Sequence, residues 1–395
     1  MKVALICPDG LSVLLFCKEI IRCLRCIPEA EVIVFCNPGE YMRDLKDLGV
    51  EVVPAHTSRF ISPVKDLLYL IRLCVLLKSK GVDYVFNIIA SKQNIYGSFA
   101  GYLAGANTIV SWVNGLGQVF NERSGVKEIF LRKLVSQLYK CAINLNSKVW
   151  FNNPSDADYF VENKLVSRSK SYLSRFFLDI SFYSSSSVSL NELEAVRQKL
   201  QLSSNERVVV MVARMIWQKG IREFAEASKK LYHQYPNVRF LLIAPLECGH
   251  IDSVPESYVE SFEKRFNFTW LRFEKDVRPY YAISTLAVLP SYYKEGGYPR
   301  ALLEPMAMGK AIVATDTEGC RRTVEHGLNG FLIPPRDADS LAATIVRLMN
   351  DDSLAERMGR YSELKARREF DERQIVCSVL RQLGLAVPVS TMKQA

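Results

Sequence analysis

The chain has 395 residues, of which 49% are apolar and 24% charged. That balance fits a globular protein with two sizeable cores and excludes a disordered or fibrous one. The formal net charge of +9 is uneven, with +6 over residues 1–183 and +3 over the remainder. The basic residues do not alternate with aromatics and no nucleic-acid-binding module is present, so nucleic acid is not an expected partner.

In chain order, Met1-Lys-Val-Ala-Leu-Ile-Cys-Pro reads straight into a first strand and lacks the small-residue cleavage site of a signal peptide, so a reducing cytoplasm is expected. Strand candidates follow at Val3–Ile6, Val32–Phe35, Val50–Val53, Tyr84–Ile89, Thr108–Trp112 and Lys148–Phe151. Helical stretches such as Val13–Cys26 and Ile95–Leu103 lie between them. The polar stretch Ser181–Ser187 breaks this pattern. A second series then runs Val208–Val212, Arg239–Ile243, Phe268–Phe273, Leu286–Leu289, Ala311–Ala314 and Phe331–Ile333. Strands alternating with helices predict parallel sheets covered on both faces. The expected architecture is therefore α/β: two doubly wound, Rossmann-like domains facing across a cleft. Their expected bounds are 1–183 and 205–370, with a linker at 184–204. A helix and tail at 371–395 are free to cross back to the first domain.

No apolar run reaches the ~18 residues that span a bilayer; the best, Leu67–Leu77, is interrupted by Arg72. Two basic amphipathic stretches stand out, however. Arg59–Lys80 holds five basic residues and one acid among leucines, and Arg123–Lys148 holds six and one. Such helices either dock on an anionic membrane surface or pack an apolar face on the core with a solvated basic side.

The chemistry concentrates between Arg207 and Glu304. The strand Val208–Ala213 runs into Arg214 and, five residues later, Lys219-Gly220. The strand ending at Pro290 runs into Ser291-Tyr-Tyr-Lys-Glu295-Gly296-Gly297-Tyr-Pro-Arg300, and a helix follows with Glu304 near its start. Strand ends of an open parallel sheet face its ligand cleft, and a helix start offers N–H groups and a positive dipole end. The cations Arg214 and Lys219 suit a departing diphosphate, because fixed positive charge stabilises the charge that develops there. Glu304 can accept both hydroxyls of a ribose. The amides of Arg300 and Ala301 can hold a phosphate, and Gly296-Gly297 lets backbone approach a sugar ring.

These residues resemble the retaining glycosyltransferases of GT-B fold in the large family numbered four, over nearly the whole chain. In the second half the resemblance rests on Ala213–Gly220, Pro290–Gly296, Leu302–Gly309, Ala314-Thr-Asp316, Gly319-Cys-Arg321 and Val324–Pro335. In the first half it rests on Asn94-Ile-Tyr-Gly-Ser98 and Asn114-Gly-Leu-Gly117-Gln-Val-Phe120, a pair similar to bacterial enzymes that extend undecaprenyl-diphosphate-linked sugars in O-antigen, capsule and N-glycan assembly. The resemblance implies an N-terminal acceptor-binding domain and a C-terminal nucleotide-sugar domain. Arg214 and Lys219 would bind the donor diphosphate, Glu304 the ribose, Glu295 and the following amides the hexose, and backbone around Val277 the uracil. Asn114 and Gly10 would meet sugar or acceptor. The donor would be a UDP-sugar, with an N-acetylhexosamine or galactose favoured. The acceptor would be a lipid-diphosphate-linked saccharide at the cytoplasmic face of the inner membrane, with no cofactor and no metal. Two departures stand out. The family's two glutamates usually have seven residues between them, whereas Glu295 and Glu304 have eight, with Gly297 placed as an insertion. Many relatives also place a histidine near Asn114, which can hydrogen-bond a hydroxyl but cannot act as acid or base.

Asp156-Ala-Asp158 and Asp337-Ala-Asp339 match the D-x-D of metal-dependent glycosyltransferases, but each opens a helix, so both are expected as caps. Cys23-Leu-Arg-Cys26 is a lone C-x-x-C within helical periodicity, so buried structural thiols are expected there rather than a redox or zinc site. His326, in the Gly327-Leu-Asn-Gly330 region, is expected to be structural. A nicotinamide oxidoreductase would show G-x-G-x-x-G after the first strand, where Cys7-Pro-Asp-Gly10 stands instead. A non-catalytic sugar-nucleotide or lipid-saccharide binding protein would not need Arg214, Lys219 and Glu304 intact, and UDP-sugar hydrolysis separates it from an enzyme. A GT-B epimerase would want a histidine and paired acids.

Overall fold

The computed structural model of the chain describes residues 1–58, 62–114, 126–247, 249–293 and 297–387, with side chains from 133 onward in the helix that begins at Val126. It divides into two compact units, Met1–Phe176 with the segment from Glu372, and Phe177–Asp371.

The first unit runs β1 (Lys2–Asp9), α1 (Gly10–Phe16), α2 (Lys18–Arg25), β2 (Glu31–Asn37), α3 (Met42–Lys46), β3 (Glu51–Pro54) and α4 (Pro63–Lys80). It continues through β4 (Tyr84–Asn87), α5 (Ser91–Ala104), β5 (Thr108–Val113), α6 (Val126–Asn144), β6 (Lys148–Phe151), α7 (Pro154–Glu162) and β7 (Ser171–Leu173). All described pairings are parallel and the order is β3-β2-β1-β4-β5-β6-β7. Apolar β-branched runs such as Val3–Ile6 are buried because helices cover both faces of the sheet. The chain builds outward one way from β1 and the other way from β4, so the topological switch point lies between them.

Helix α5 packs on this sheet through a buried polar network. Asn87 Nδ2 donates to Ser98 Oγ at 3.1 Å and Ser111 Oγ at 3.0 Å, while Asn146 Nδ2 donates to Ser98 Oγ at 2.9 Å. Asn94 Nδ2 donates to the Trp112 carbonyl at 3.1 Å. A Cβ at Gly97 would lie 1.9 Å from Asn87 Oδ1, so only glycine lets the helix approach this closely. The Asn94–Ser98 motif therefore holds a helix to a sheet.

Helix α4 carries apolar residues on two faces. Tyr69, Leu73 and Leu77 are buried in the core, whereas Val64, Leu67, Leu68, Ile71 and Val75 are 53–72% exposed. The last helix, α16 (Glu372–Gln382), belongs to this unit and packs on α2. There Cys23 and Cys377 bring their Sγ atoms to 2.8 Å, with Glu19 Oε1 accepting from the Cys23 thiol at 3.3 Å. The Cys377 contact and burial push the Cys23 thiol far up, which keeps it protonated. Cys26, less buried, donates to the Arg22 carbonyl.

The second unit runs α8 (Leu190–Lys199), β8 (Arg207–Val212), α9 (Ile221–Leu231), β9 (Val238–Ile243), α10 (Glu256–Glu263), β10 (Phe268–Leu271), α11 (Arg278–Ile283) and β11 (Ser284–Leu289). It ends with α12 (Arg300–Ala307), β12 (Ala311–Thr315), α13 (Glu318–Thr323), β13 (Gly330–Ile333), α14 (Ala338–Met349) and α15 (Asp352–Phe370). The parallel order is β10-β9-β8-β11-β12-β13, with the switch point between β8 and β11.

Several expectations are corrected. The stretch 184–204 is no open linker: it holds α8, started by a Ser189–Glu192 capping box and packed on α11. The signal was present in sequence as Ser-x-x-Glu. The helix expected over Val13–Cys26 is two helices, because Cys17, with φ −110° and ψ −7°, leaves helical geometry. The D-x-D at Asp156 does not cap α7, since Asn153 accepts from Ser155 N and Asp156 lies in the first turn. Asp337 does cap α14, accepting from Ser340 N at 2.9 Å.

Lys310, between α12 and β12, donates from Nζ to the Ala282 and Ser284 carbonyls, both at 2.9 Å, and burial lowers its pKa to about 8. Below pH 8 the ammonium is charged in both states and the folded protein carries the full burial penalty. Between pH 8 and the ordinary lysine value near 10.5 the unfolded chain binds more protons, so stability rises with pH, by up to about 3 kcal/mol from this group. Denaturant unfolding from pH 7 to 10 should show that rise in the wild type and its loss in Lys310→Met.

Candidate functional site

In the second unit the site begins where β8 ends, at the switch point where open α/β sheets bind their ligands. After Ala213 the chain turns through Arg214 and Met215 into a short 3-10 turn, Trp217–Lys219, and Gly220 starts α9 with φ +84°. Two other segments fix this turn. Asp252 Oδ2 accepts from Gln218 N at 2.9 Å, and its carbonyl accepts from Trp217 N at 3.0 Å. On the other side the Gln218 carbonyl accepts from Tyr292 N and Tyr293 N, both at 2.9 Å, and from Ser291 Oγ at 3.1 Å. Thr315 Oγ1, at the end of β12, donates to the Ser291 carbonyl. A Cβ at Gly220 would lie 2.2 Å from the Pro290 carbonyl oxygen, so the loops after β8 and β11 touch backbone to backbone.

This contact gathers the two predicted cations. Lys219 Nζ lies 4.8 Å and the Arg214 guanidinium carbon 5.8 Å from the centre of the Tyr293 ring. Both side chains are half-buried. They form a positive pair in the loop after β8, held over the face of Tyr293 from the loop after β11.

The second cluster surrounds Glu304, on the first turn and a half of α12. It is buried, and its oxygens accept from Arg300 Nε at 3.0 Å and Tyr281 Oη at 3.3 Å. Tyr183 joins through Arg300 Nη2 at 3.4 Å. Burial, with the Glu304 charge beside it, raises the Tyr281 hydroxyl well above the ordinary phenol range, and the same causes raise Tyr183. Two partners leave further lone pairs on the Glu304 carboxylate, which offers about four acceptor sites. Arg300 and Ala301 are the first two residues of α12, behind Pro299, which supplies no side-chain cap. Their amides have no intrahelical acceptor.

Gly297 immediately precedes this region, and Val277 is the N-cap of α11. Glu295 and Gly296 lie outside the described residues. In the first unit, Asn114 follows β5, half-buried, and Gly10 is the first residue of α1. A Cβ at Gly10 would meet Tyr41 Cβ at 3.0 Å, so this glycine also serves the packing of α1 on α3. The first-half motif from Gly115 to Phe120 lies outside the described residues. His326 accepts from Leu332 N through Nδ1 at 3.1 Å, the structural role expected of it.

Sequence reasoning missed Tyr183, Tyr281, Tyr293, Gln218 and Asp252. Gln218 acts through its backbone and so leaves no side-chain signal. The tyrosines could have been suspected only from their density around the motif.

Residues 193–365 match the family described as Glycosyl transferases group 1. The solved structure of Anabaena HepE in complex with UDP and glucose superposes with a TM-score of 0.76 at 20% identity, covering 97% of this chain and 99% of that one. The likeness over nearly the whole chain shows the GT-B fold. Two curated relatives are similar to it over most of its length. The N,N'-diacetylbacillosaminyl-diphospho-undecaprenol alpha-1,3-N-acetylgalactosaminyltransferase of Campylobacter jejuni is 26% identical over 382 residues, 96% of this chain and 98% of that protein. The UDP-Gal:alpha-D-GlcNAc-diphosphoundecaprenol alpha-1,3-galactosyltransferase of Escherichia coli is 26% identical over 327 residues, 82% of this chain and 81% of that protein.

The Arg300–Glu304 pair gives a stability test. Arg300→Met strands a buried carboxylate and should lower unfolding free energy by about 2–3 kcal/mol in denaturant. Adding Glu304→Gln should restore part of that loss, because the stranded charge is gone.

Proposed function

We propose that this protein is a retaining, metal-independent glycosyltransferase that moves a sugar from a UDP-sugar, an N-acetylhexosamine or galactose by preference, to a lipid-diphosphate-linked saccharide. The assembly would serve a bacterial surface polysaccharide on the cytoplasmic face of the inner membrane. The observation that carries this reading is the Arg214–Lys219 pair, set over Tyr293 at the switch point of the second unit. Its support is the similarity, over 96% and 82% of this chain, to the two diphospho-undecaprenol sugar transferases.

In this mechanism the β-phosphate oxygen accepts charge as the glycosidic bond breaks, and Arg214 and Lys219 stabilise it. The leaving diphosphate assists the incoming acceptor hydroxyl on the same face, which retains the anomeric configuration. Glu304 accepts ribose hydroxyls. The first amides of α12 and Glu295 hold phosphate and hexose. Asn114 meets the transferred sugar. The carboxylates of the D-x-D matches are otherwise engaged: Asp337 caps α14, Asp339 lies 2.7 Å from Lys230, and Asp158 lies 3.2 Å from Arg168.

The direct experiment offers a panel of UDP-sugars with a lipid-diphosphate saccharide acceptor, reads transfer by mass and the product anomer by NMR, and repeats it in EDTA. Transfer with retention that persists in EDTA is expected; inversion, or activity restored only by manganese, would contradict the reading. Lys219→Ala and Arg214→Ala should each lower turnover by roughly 100- to 1,000-fold, the scale of one lost charge-stabilising donor. Glu304→Gln should instead weaken UDP affinity more than turnover, since ribose contacts exist in ground and transition states alike.

Membrane attachment is assigned to α4. Its outward stripe Val64, Leu67, Leu68, Ile71 and Val75 lies beside exposed Lys65, Arg72 and Lys78. Of the second basic stretch, residues 123–125 and the side chains to 132 lie outside the described residues, and the remainder of α6 adds exposed Lys133 and Leu134. Each basic residue near an anionic surface contributes about 1 kcal/mol, screened by salt. The protein should therefore sediment with anionic vesicles at low salt and release at high salt. Ile71→Gln with Val75→Gln should reduce recovery, while equal recovery with neutral and anionic vesicles would remove α4 from this role.

A further inference from the structure

At the N-terminal end of α4 the first unit has a cavity of about 360 Å³, lined by His56, Thr57, Ser58, Lys65, Leu68, Tyr69 and Arg72. We propose that this cavity seats the diphosphate of the lipid-linked acceptor, with the lipid leaving along the apolar stripe of α4. The proposal rests on the acceptor class given under Proposed function and assigns it a site.

Four of the lining residues, Lys65, Leu68, Tyr69 and Arg72, stand at i, i+3, i+4 and i+7 and so share one face of the helix. Lys65 and Arg72 are exposed, and among the described residues neither has an ion-pair partner. They are two turns apart, roughly 10 Å along the helix axis. Their long side chains can therefore close on an anion larger than a single phosphate from both sides. His56 adds a third nitrogen group. Thr57 Oγ1 is buried without a hydrogen-bond partner among the described residues.

The carboxylate nearest this cluster does not cancel it. Asp66 is buried and committed to Lys92 Nζ at 2.5 Å, Ser62 N at 3.0 Å and Ser58 Oγ at 3.3 Å. Leu68 decides the ligand class, because it lines the cavity and also belongs to the exposed stripe Val64, Leu67, Leu68, Ile71 and Val75. A soluble anion would use the cations and leave that stripe in water. A ligand with a polyanionic head and an apolar tail uses both. A bilayer docked on the stripe would present such a head at this depth.

The test uses the full chain and vesicles of neutral phosphatidylcholine doped with a polyprenyl diphosphate, or with phosphatidylglycerol matched in total charge. Wild-type protein should bind the diphosphate vesicles roughly 10- to 100-fold more tightly, the scale of two charge-assisted contacts to phosphate. Millimolar inorganic diphosphate should compete for that extra binding. Lys65→Gln with Arg72→Gln should abolish the difference, while UDP affinity, read by calorimetry, stays at the wild-type value and shows the second unit intact. Equal binding to the two vesicle types would overturn the proposal and reduce the cavity to a general anionic surface, as would a double variant that keeps the diphosphate preference. Failure of the wild type to bind UDP would count against the transferase reading instead and leave the vesicle comparison standing on its own.

Discussion

The second unit depends on one backbone contact. Gly220 and Gln218, after β8, press against Pro290–Tyr293, after β11, with the Gln218 carbonyl taking three donors from that loop. Adjacent parallel strands end side by side, but their loops are ordinarily independent surface segments. Here the absence of a Cβ at Gly220 lets them fuse. Arg214 and Lys219 then project from a fixed platform rather than from a flexible turn, with Tyr293 beneath both. Charge stabilisation in a transition state is effective to the extent that the charges are placed beforehand, so this contact links fold to chemistry.

Around Glu304 the same logic takes a different form. A buried carboxylate is tolerable only with partners, and Arg300, one helical turn earlier, and Tyr281 supply them. The arrangement fixes the carboxylate while leaving acceptor capacity. Asp252 works at a greater distance: it accepts from the Gln218 amide and so sets the turn that carries Lys219.

Much of this was legible in the sequence. Twelve apolar runs in two series gave both sheets, because fully buried parallel strands are continuous and β-branched. The Arg214, Lys219 and Glu304 positions were legible because each sits just after a strand or at a helix start. Other features were not. The short edge strand β7, Ser171–Leu173, is half-exposed and carries no apolar run. Helix α8 was hidden by the serine-rich stretch before it, although its capping box was present. The Asn94–Ser98 motif pointed toward function by resemblance, whereas its described contacts are to Asn87, Ser111, Trp112 and Asn146 inside the first unit. Pairwise contacts of that kind join residues far apart in sequence and leave no spacing to read. The two-faced character of α4 was equally ambiguous, since a leucine-rich helix does not declare which of its leucines face water.

The measurement closest to the central claim is calorimetric titration of UDP into the wild type and into Gly220→Ala. Alanine at φ +84° would place its Cβ against the Pro290 carbonyl and part the two loops. The account predicts a variant that remains folded by circular dichroism and binds UDP at least about tenfold more weakly, with the loss traceable to the displaced cations. Unchanged UDP affinity in a folded Gly220→Ala protein would contradict it.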